Sequence, residues 1–152
     1  MAVTATTHLN FRGDARAALE FYQSVFGGHR TVVTYADLGM PGELPDAGKV
    51  VFGQVTAENG FSIMAYDVPG PAAPAPVTPT TRENGMTRTG ERFFVSVRGE
   101  TLEEVGALWD GLSDGAGIIE KFGPSPWAPG FGMLTDPFGV TWILDVAVAH
   151  AG

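Results

Sequence analysis

Two rhythms of hydrophobic and polar positions alternate along the chain, one repeating every second residue and one every three to four. Over residues 4–11 the period of two puts Thr7, Leu9 and Phe11 on one side and Thr6, His8 and Asn10 on the other, which predicts a half-buried strand. Arg12 and Gly13 interrupt it. Asp14 then stands where a helix N-cap is needed, because Ala15, Ala18, Leu19, Tyr22, Val25 and Phe26 fall on a single helical stripe. Gly27-Gly28 ends that helix, since glycine enters the left-handed cap conformation without a Cβ clash. Strand patterns follow over residues 29–35, 49–56 and 61–67, the last two paired around an Asn59-Gly60 turn. Between the first two lies DLGMPGELPDAG, residues 37–48, whose three glycines and two prolines predict a loop.

The second half runs through the same series. Residues 92–97 predict a strand, Thr101 and Glu104 make a capping box, and Leu102, Val105, Leu108, Trp109 and Leu112 supply a helical stripe closed by Gly115 and Gly117. A short strand over residues 118–122 leads to a hairpin, residues 131–135 and 140–146. Its turn is Asp136-Pro137-Phe138-Gly139, where Asp, Pro and Gly suit the first, second and fourth positions of a type I turn. Val140, Trp142, Leu144 and Val146 alternate with Thr141, Ile143 and Asp145, so one face packs a helix and the other is available to line a pocket.

The two helical stripes match at a constant offset, Ala15, Ala18, Phe21, Tyr22 and Val25 against Leu102, Val105, Leu108, Trp109 and Leu112. The preceding strands match as Leu9 and Phe11 against Val95 and Val97, once the turn before the second helix is allowed one extra residue. The chain is therefore predicted to be α+β, an internal repeat of a βαβββ unit, because neither unit alone covers both faces of its sheet. The modules are residues 1–67 and 91–152, together one domain. Residues 68–90 between them begin VPGPAAPAPVTPTTRENG, and that proline density predicts a linker without regular structure.

Composition narrows the function classes. Nine basic against seventeen acidic residues in 152 give a net charge of −8 with no basic patch, which argues against nucleic acid. No apolar run approaches the roughly 18 residues a membrane span needs, and residues 1–13 lack the pattern of a secretory leader, so no membrane role is expected and a cytoplasmic protein is the default. The absence of cysteine removes disulfides, thiolate metal sites and a cysteine nucleophile. The serines lack a nucleophile-elbow context, and Asp145 and Glu120 have no evident partner in the sequence, so no catalytic residue is assigned.

ALEFYQSVFGG at residues 18–28, WAPGFGMLTD at 127–136 and DPFGVTW at 136–142 resemble the PhnB-like branch of the glyoxalase and bleomycin-resistance superfamily, the vicinal oxygen chelate fold. That resemblance spans essentially the whole chain. It implies two βαβββ modules forming a curved mixed sheet around a cavity, usually in a homodimer; the sheet edges and apolar surface of such a chain point to the 37–48 loop and the Trp127 region as the contacts. Some members resembling this one use a divalent metal for isomerisation, lyase or ring-opening chemistry; others bind a drug. Function does not follow from the fold.

The superfamily's metal position implies one ligand from the first and one from the last strand of each module. Here those positions hold His8 or Thr6, Met64, Arg92 or Phe94, and Ile143. A thioether is soft, an arginine repels a cation and isoleucine cannot coordinate, so no metal or other cofactor is expected. His8, Asn10, Met64, Arg92, Trp127, Phe131 and Met133 are instead candidate ligand-binding residues, with Arg92 for an acidic group and Trp127 for a ring. Each has a plainer reading: His8 a satisfied strand histidine, Arg92 a solvated charge, and the aromatic and thioether set a closed core or dimer contact. Three functions stay open: a small-molecule-binding protein without a catalytic metal, a metal-dependent lyase, isomerase or dioxygenase, and a scaffold with a filled cavity. A methyltransferase finds no support, because no glycine-rich nucleotide loop follows the first strand.

Overall fold

The computed structural model describes residues 2–71 and 78–148. Strand β1 (Thr7–Phe11) leads into helix α1 (Ala15–Phe26), and β2 (His29–Thr34), β3 (Val50–Thr56) and β4 (Ser62–Asp67) complete the first module. Its sheet has the order β1-β4-β3-β2, with β1 parallel to β4 and the other neighbours antiparallel. Leu9, Val55, Ile63 and Ala65 face the buried stripe of α1, which carries Ala18, Leu19 and Tyr22. The helix lies close: a Cβ at Gly53 would stand 2.3 Å from Leu19 Cδ1 and 2.9 Å from the Ala65 carbonyl.

A hairpin follows, β5 (Thr81–Glu83) and β6 (Met86–Arg88). It corrects the expectation that residues 68–90 have no regular structure. The prolines end at Pro79, and Asn84-Gly85 beyond them takes positive φ at both residues, 52° and 74°, as a tight hairpin turn demands. Residues 72–77, the densest part of the expected linker, lie outside the described residues. The chain divides into two compact units at residues 75 and 76, so the hairpin belongs with the second module.

That second module consists of β7 (Val95–Gly99), α2 (Leu102–Leu112), β8 (Gly117–Gly123), β9 (Phe131–Thr135) and β10 (Thr141–Val146). Its sheet order is β7-β10-β9-β8, the order of the first, again with the outer strand parallel and the rest antiparallel. Trp142, Leu144 and Val146 are buried on the helix side, and Gly132 repeats the role of Gly53, since a Cβ there would meet the Trp109 ring at 2.7 Å.

Hydrogen-bond register corrects the repeat in detail. Leu9 pairs with Ala65 and Ala65 with Gly53; Val97 pairs with Leu144 and Leu144 with Gly132. The counterpart of Leu9 is therefore Val97 rather than Val95, and the turn before α2 is shorter, not longer. A slip of two residues keeps every side chain on its face, so alternation gives no warning of it.

The two helices also start differently. Asp14 makes no side-chain cap; the Gly13 and Ala15 N–H groups donate to Asp67 Oδ1 at 2.8 and 3.1 Å, and the Val50 N–H donates to Asp67 Oδ2 at 3.0 Å. A carboxylate at the end of β4 thus holds the start of α1. In α2 the Thr101 hydroxyl accepts from the Glu104 N–H at 3.1 Å, the local cap that the sequence predicts. Asp136 keeps its turn role, accepting the Phe138 and Val140 N–H groups on Oδ1 and the Trp142 indole N–H on Oδ2.

Candidate functional site

Strand alternation sends every second side chain of the first sheet away from α1. On that outer face His8 pairs with Met64 and Met64 with Gln54, forming one row across three strands, with Asn10 and Tyr66 paired in the next. His8 Nδ1 lies 3.0 Å from Asn10 Oδ1, and a carbonyl oxygen only accepts, so Nδ1 is the donor of this contact, and the tautomer that makes it leaves Nε2 as an acceptor. The Tyr66 ring stands edge-on to His8 at 5.3 Å. Gln54 is anchored through Nε2 to the Ser62 hydroxyl at 3.0 Å. His8, Asn10 and Met64 are thus brought together as the alternation implied, and Tyr66 and Gln54 join them. Those two were missed because their membership depends on cross-strand register.

The second module distributes its candidates differently. Trp127 and Phe131 meet edge-on at 5.1 Å, but the Arg82 guanidinium lies over both rings, 5.8 and 5.1 Å from their centroids, and donates to the Thr87 hydroxyl at 2.7 Å. The chain's own cation lies where the aromatic pair would receive a ligand's charge. Met133 is only 1% exposed, and the Thr87 hydroxyl approaches its sulfur at 3.9 Å. The hairpin that the proline bias concealed supplies both contacts. Asp145, expected to lack a partner, accepts from Arg98 Nε on Oδ1 and from Arg98 Nη2 on Oδ2, each at 3.0 Å; parallel pairing of β10 with β7 sets them side by side.

Arg92 is an exposed bend residue ahead of β7, and the cross-strand neighbour of Ile143 is Ser96. Arg92 therefore precedes Ser96 by four positions, a separation of at most about 13 Å. The row equivalent to His8, Met64 and Gln54 is consequently Ser96, Ile143 and Met133. This corrects the set His8, Met64, Arg92 and Ile143 at its third member.

These rows do not fit a divalent metal. The first offers one imidazole, a thioether and an amide, the second a hydroxyl, an aliphatic chain and a buried thioether; neither contains an anionic donor to offset the cation's charge. Among the described residues no three His, Asp or Glu side chains gather as metal ligands.

The fold and these motifs agree with an independent family match: residues 7–144 match the Glyoxalase/Bleomycin resistance protein/Dioxygenase superfamily. The chain belongs to this superfamily. Protein PA1353 from Pseudomonas aeruginosa is similar over 95% of this chain and 98% of its own, at 25% identity and a TM-score of 0.75. The PhnB protein from Bacillus cereus, a suggested 3-demethylubiquinone-9 3-methyltransferase, is 28% identical over 95% of this chain and 100% of its own, with a TM-score of 0.67. These likenesses put the chain in the PhnB-like branch of the superfamily. A glyoxylase/bleomycin resistance protein/dioxygenase domain from Frankia sp. EAN1pec, at 14% identity, TM-score 0.60 and coverage of 97% of this chain and 99% of its own, shares the fold alone. No curated protein matches the sequence. Among the described residues no helix is long and apolar enough to cross a membrane.

Proposed function

We propose that this superfamily member binds a small, partly aromatic organic molecule on the outer face of its first module, and that it does so without a catalytic divalent metal. One observation carries the reading: the row of His8, Met64 and Gln54, flanked by Asn10 and Tyr66, combines an oriented imidazole acceptor with ring and thioether surface and contains no anionic donor. His8 Nε2 accepts a hydrogen bond from a ligand hydroxyl or N–H, while Tyr66 and Met64 pack against a ring. Among the described residues no hydroxyl hydrogen-bonds His8, so the chemistry supported is recognition. Methyl transfer is likewise unsupported, because the junction between β1 and α1, Arg12-Gly13-Asp14, has a single glycine and no cradle for a nucleotide. Self-association as a two-fold dimer belongs to the same proposal, since Leu38 and Leu44 of the 37–48 loop and Trp127 are exposed large apolar residues.

Two titrations test it. Calorimetry with manganese, iron(II), nickel and zinc is expected to give no binding at micromolar concentration; micromolar binding that disappears in His8→Ala would reverse the metal-free reading. Phenol and catechol are expected to shift the amide resonances of His8, Met64 and Tyr66 in the native protein and not in His8→Ala. Shifts confined to other residues would remove the binding face from the first module.

A further inference from the structure

The segment from Thr78 to Thr80, the start of β8 and the β9–β10 turn line an open cavity of about 430 Å³, with Pro79, Glu91, Ile118, Ile119, Thr135 and Gly139 among its walls. That volume falls within the range typical of small-molecule sites. The lining mixes aliphatic wall and glycine with one carboxylate.

The carboxylate organises the hydroxyls around it. Thr80 and Thr141, both buried, donate their hydroxyl protons to Glu91 Oε2, the latter at 2.7 Å. A hydroxyl has one proton, so the 2.8 Å contacts of Thr80 with Thr89 and of Thr141 with Thr135 have a fixed direction: Thr89 and Thr135 are the donors. Every proton in the network runs toward Glu91. Thr135, on the cavity wall, is left presenting lone pairs, and an ionised carboxylate presents nothing else. Among the described residues no Lys, Arg or His pairs with Glu91, and its second oxygen Oε1 takes no hydrogen bond. This half-buried carboxylate therefore keeps one oxygen available to a cationic donor.

We infer that this cavity binds a small protonated organic amine, its ammonium group on Glu91 and Thr135 and its apolar body against Ile118 and Ile119. The polar wall accepts and does not donate, so it selects a ligand rich in donors. The aliphatic wall selects an organic cation over a hydrated inorganic one. The chain's net charge of −8 adds a long-range attraction of the right sign. The inference uses residues of the second module alone and stands or falls without the first module's outer face.

Benzylammonium chloride is the probe, followed by nitrogen-15 NMR on the whole chain, with benzyl alcohol as its neutral analogue and potassium chloride at matched ionic strength. Benzylammonium is expected to shift the amides of Gly117, Ile118, Ile119 and Gly139 in the millimolar range or below, and the two controls to leave them in place. Glu91→Gln keeps the side chain's shape while removing its charge, and should weaken binding about tenfold. Thr135→Val, which leaves the carboxylate and its two donors intact, should weaken it about threefold and decides the matter if Glu91→Gln fails to fold. Equal shifts with benzyl alcohol or potassium, shifts only in the first module, no shift at all, or unchanged affinity in Thr135→Val would each overturn the assignment.

Discussion

Away from its helix, the first sheet carries His8, Met64 and Gln54 in one row, and the second carries Ser96, Ile143 and Met133 in the equivalent one. Toward the helix the same strands carry Leu9, Ala65 and Gly53 against Val97, Leu144 and Gly132. The helix-facing rows stay apolar with a glycine on the third strand, because each must admit a helix at close range. The outer rows differ at all three positions. In the first module His8 is exposed beside its hydrogen-bonding neighbours; in the second Met133 is buried beneath the hairpin. A duplicated topology thus constrains one side of each sheet and leaves the other side to diverge, which is where the candidate functions lie.

The sharpest way to break the equivalence of the modules is at their helix starts. Asp67 accepts three backbone N–H groups drawn from the β1–α1 turn, from α1 and from β3, whereas Thr101 accepts one. Asp67→Ala leaves three buried or part-buried donors without an acceptor and is expected to cost about 4 kcal/mol in urea unfolding. Thr101→Ala is expected to cost about 1 kcal/mol. Equal losses would mean that the long-range carboxylate is no more than another local cap.

That contrast also marks what could be read from the residues alone. Period-two alternation assigned Leu9, Phe11, Trp142 and Leu144 to the helix side correctly, and the turn chemistry of Asp136-Pro137-Phe138-Gly139 and the Thr101 cap follow from neighbouring residues. Asp67 holding α1 and Arg98 gripping Asp145 join residues far apart in the chain, and no local pattern announces them. Register failed for a specific reason: a slip by any even number of residues preserves alternation, so Phe94, two residues early, and Arg92, four residues early, were both candidates for a place that belongs to Ser96. The hairpin carrying Arg82 was hidden by five prolines upstream, although Asn84-Gly85 was a legible turn signal. Of the candidate ligand-binding set, His8, Asn10 and Met64 share a face, Trp127 and Phe131 enclose Arg82, Met133 is buried and Arg92 precedes its strand.

Removing Arg82 should make the outer faces more alike. Arg82→Ala takes the guanidinium from over Trp127 and Phe131 and its hydrogen bond from Thr87, at an expected loss of about 1 kcal/mol. Tryptophan fluorescence should report a changed Trp127 environment, and catechol should then shift amides of Trp127 and Phe131 that it leaves unmoved in the native chain. An unchanged spectrum, or catechol shifts at these residues already present with Arg82 in place, would show that the guanidinium does not keep the aromatic pair occupied.

The smallest effect concerns acid, and it falls on the first module. Asp46 receives the Lys49 ammonium at 2.8 Å and the Gly70 N–H at 3.1 Å, tying the 37–48 loop to the chain beyond β4. The hydrogen bond from Lys49 is the largest influence and holds the Asp46 carboxyl below its ordinary value of 3.8; burial opposes it, and the Gly70 N–H and the charge of Lys49 add smaller pulls in the lowering direction. A carboxyl depressed in the folded state adds stability that is present above its unfolded value and is lost as pH falls through its folded value. The Gly70 amide should therefore keep its protection from hydrogen exchange at pH 5 and lose part of it only below the ordinary carboxyl range. In Asp46→Asn the acid-dependent part should vanish, leaving one protection factor across the same interval once intrinsic exchange is divided out. The Asp145–Arg98 pair of the second module supplies the control: a fall in protection at Gly70 that is matched across β7 and β10 would trace the effect to general acid unfolding rather than to Asp46.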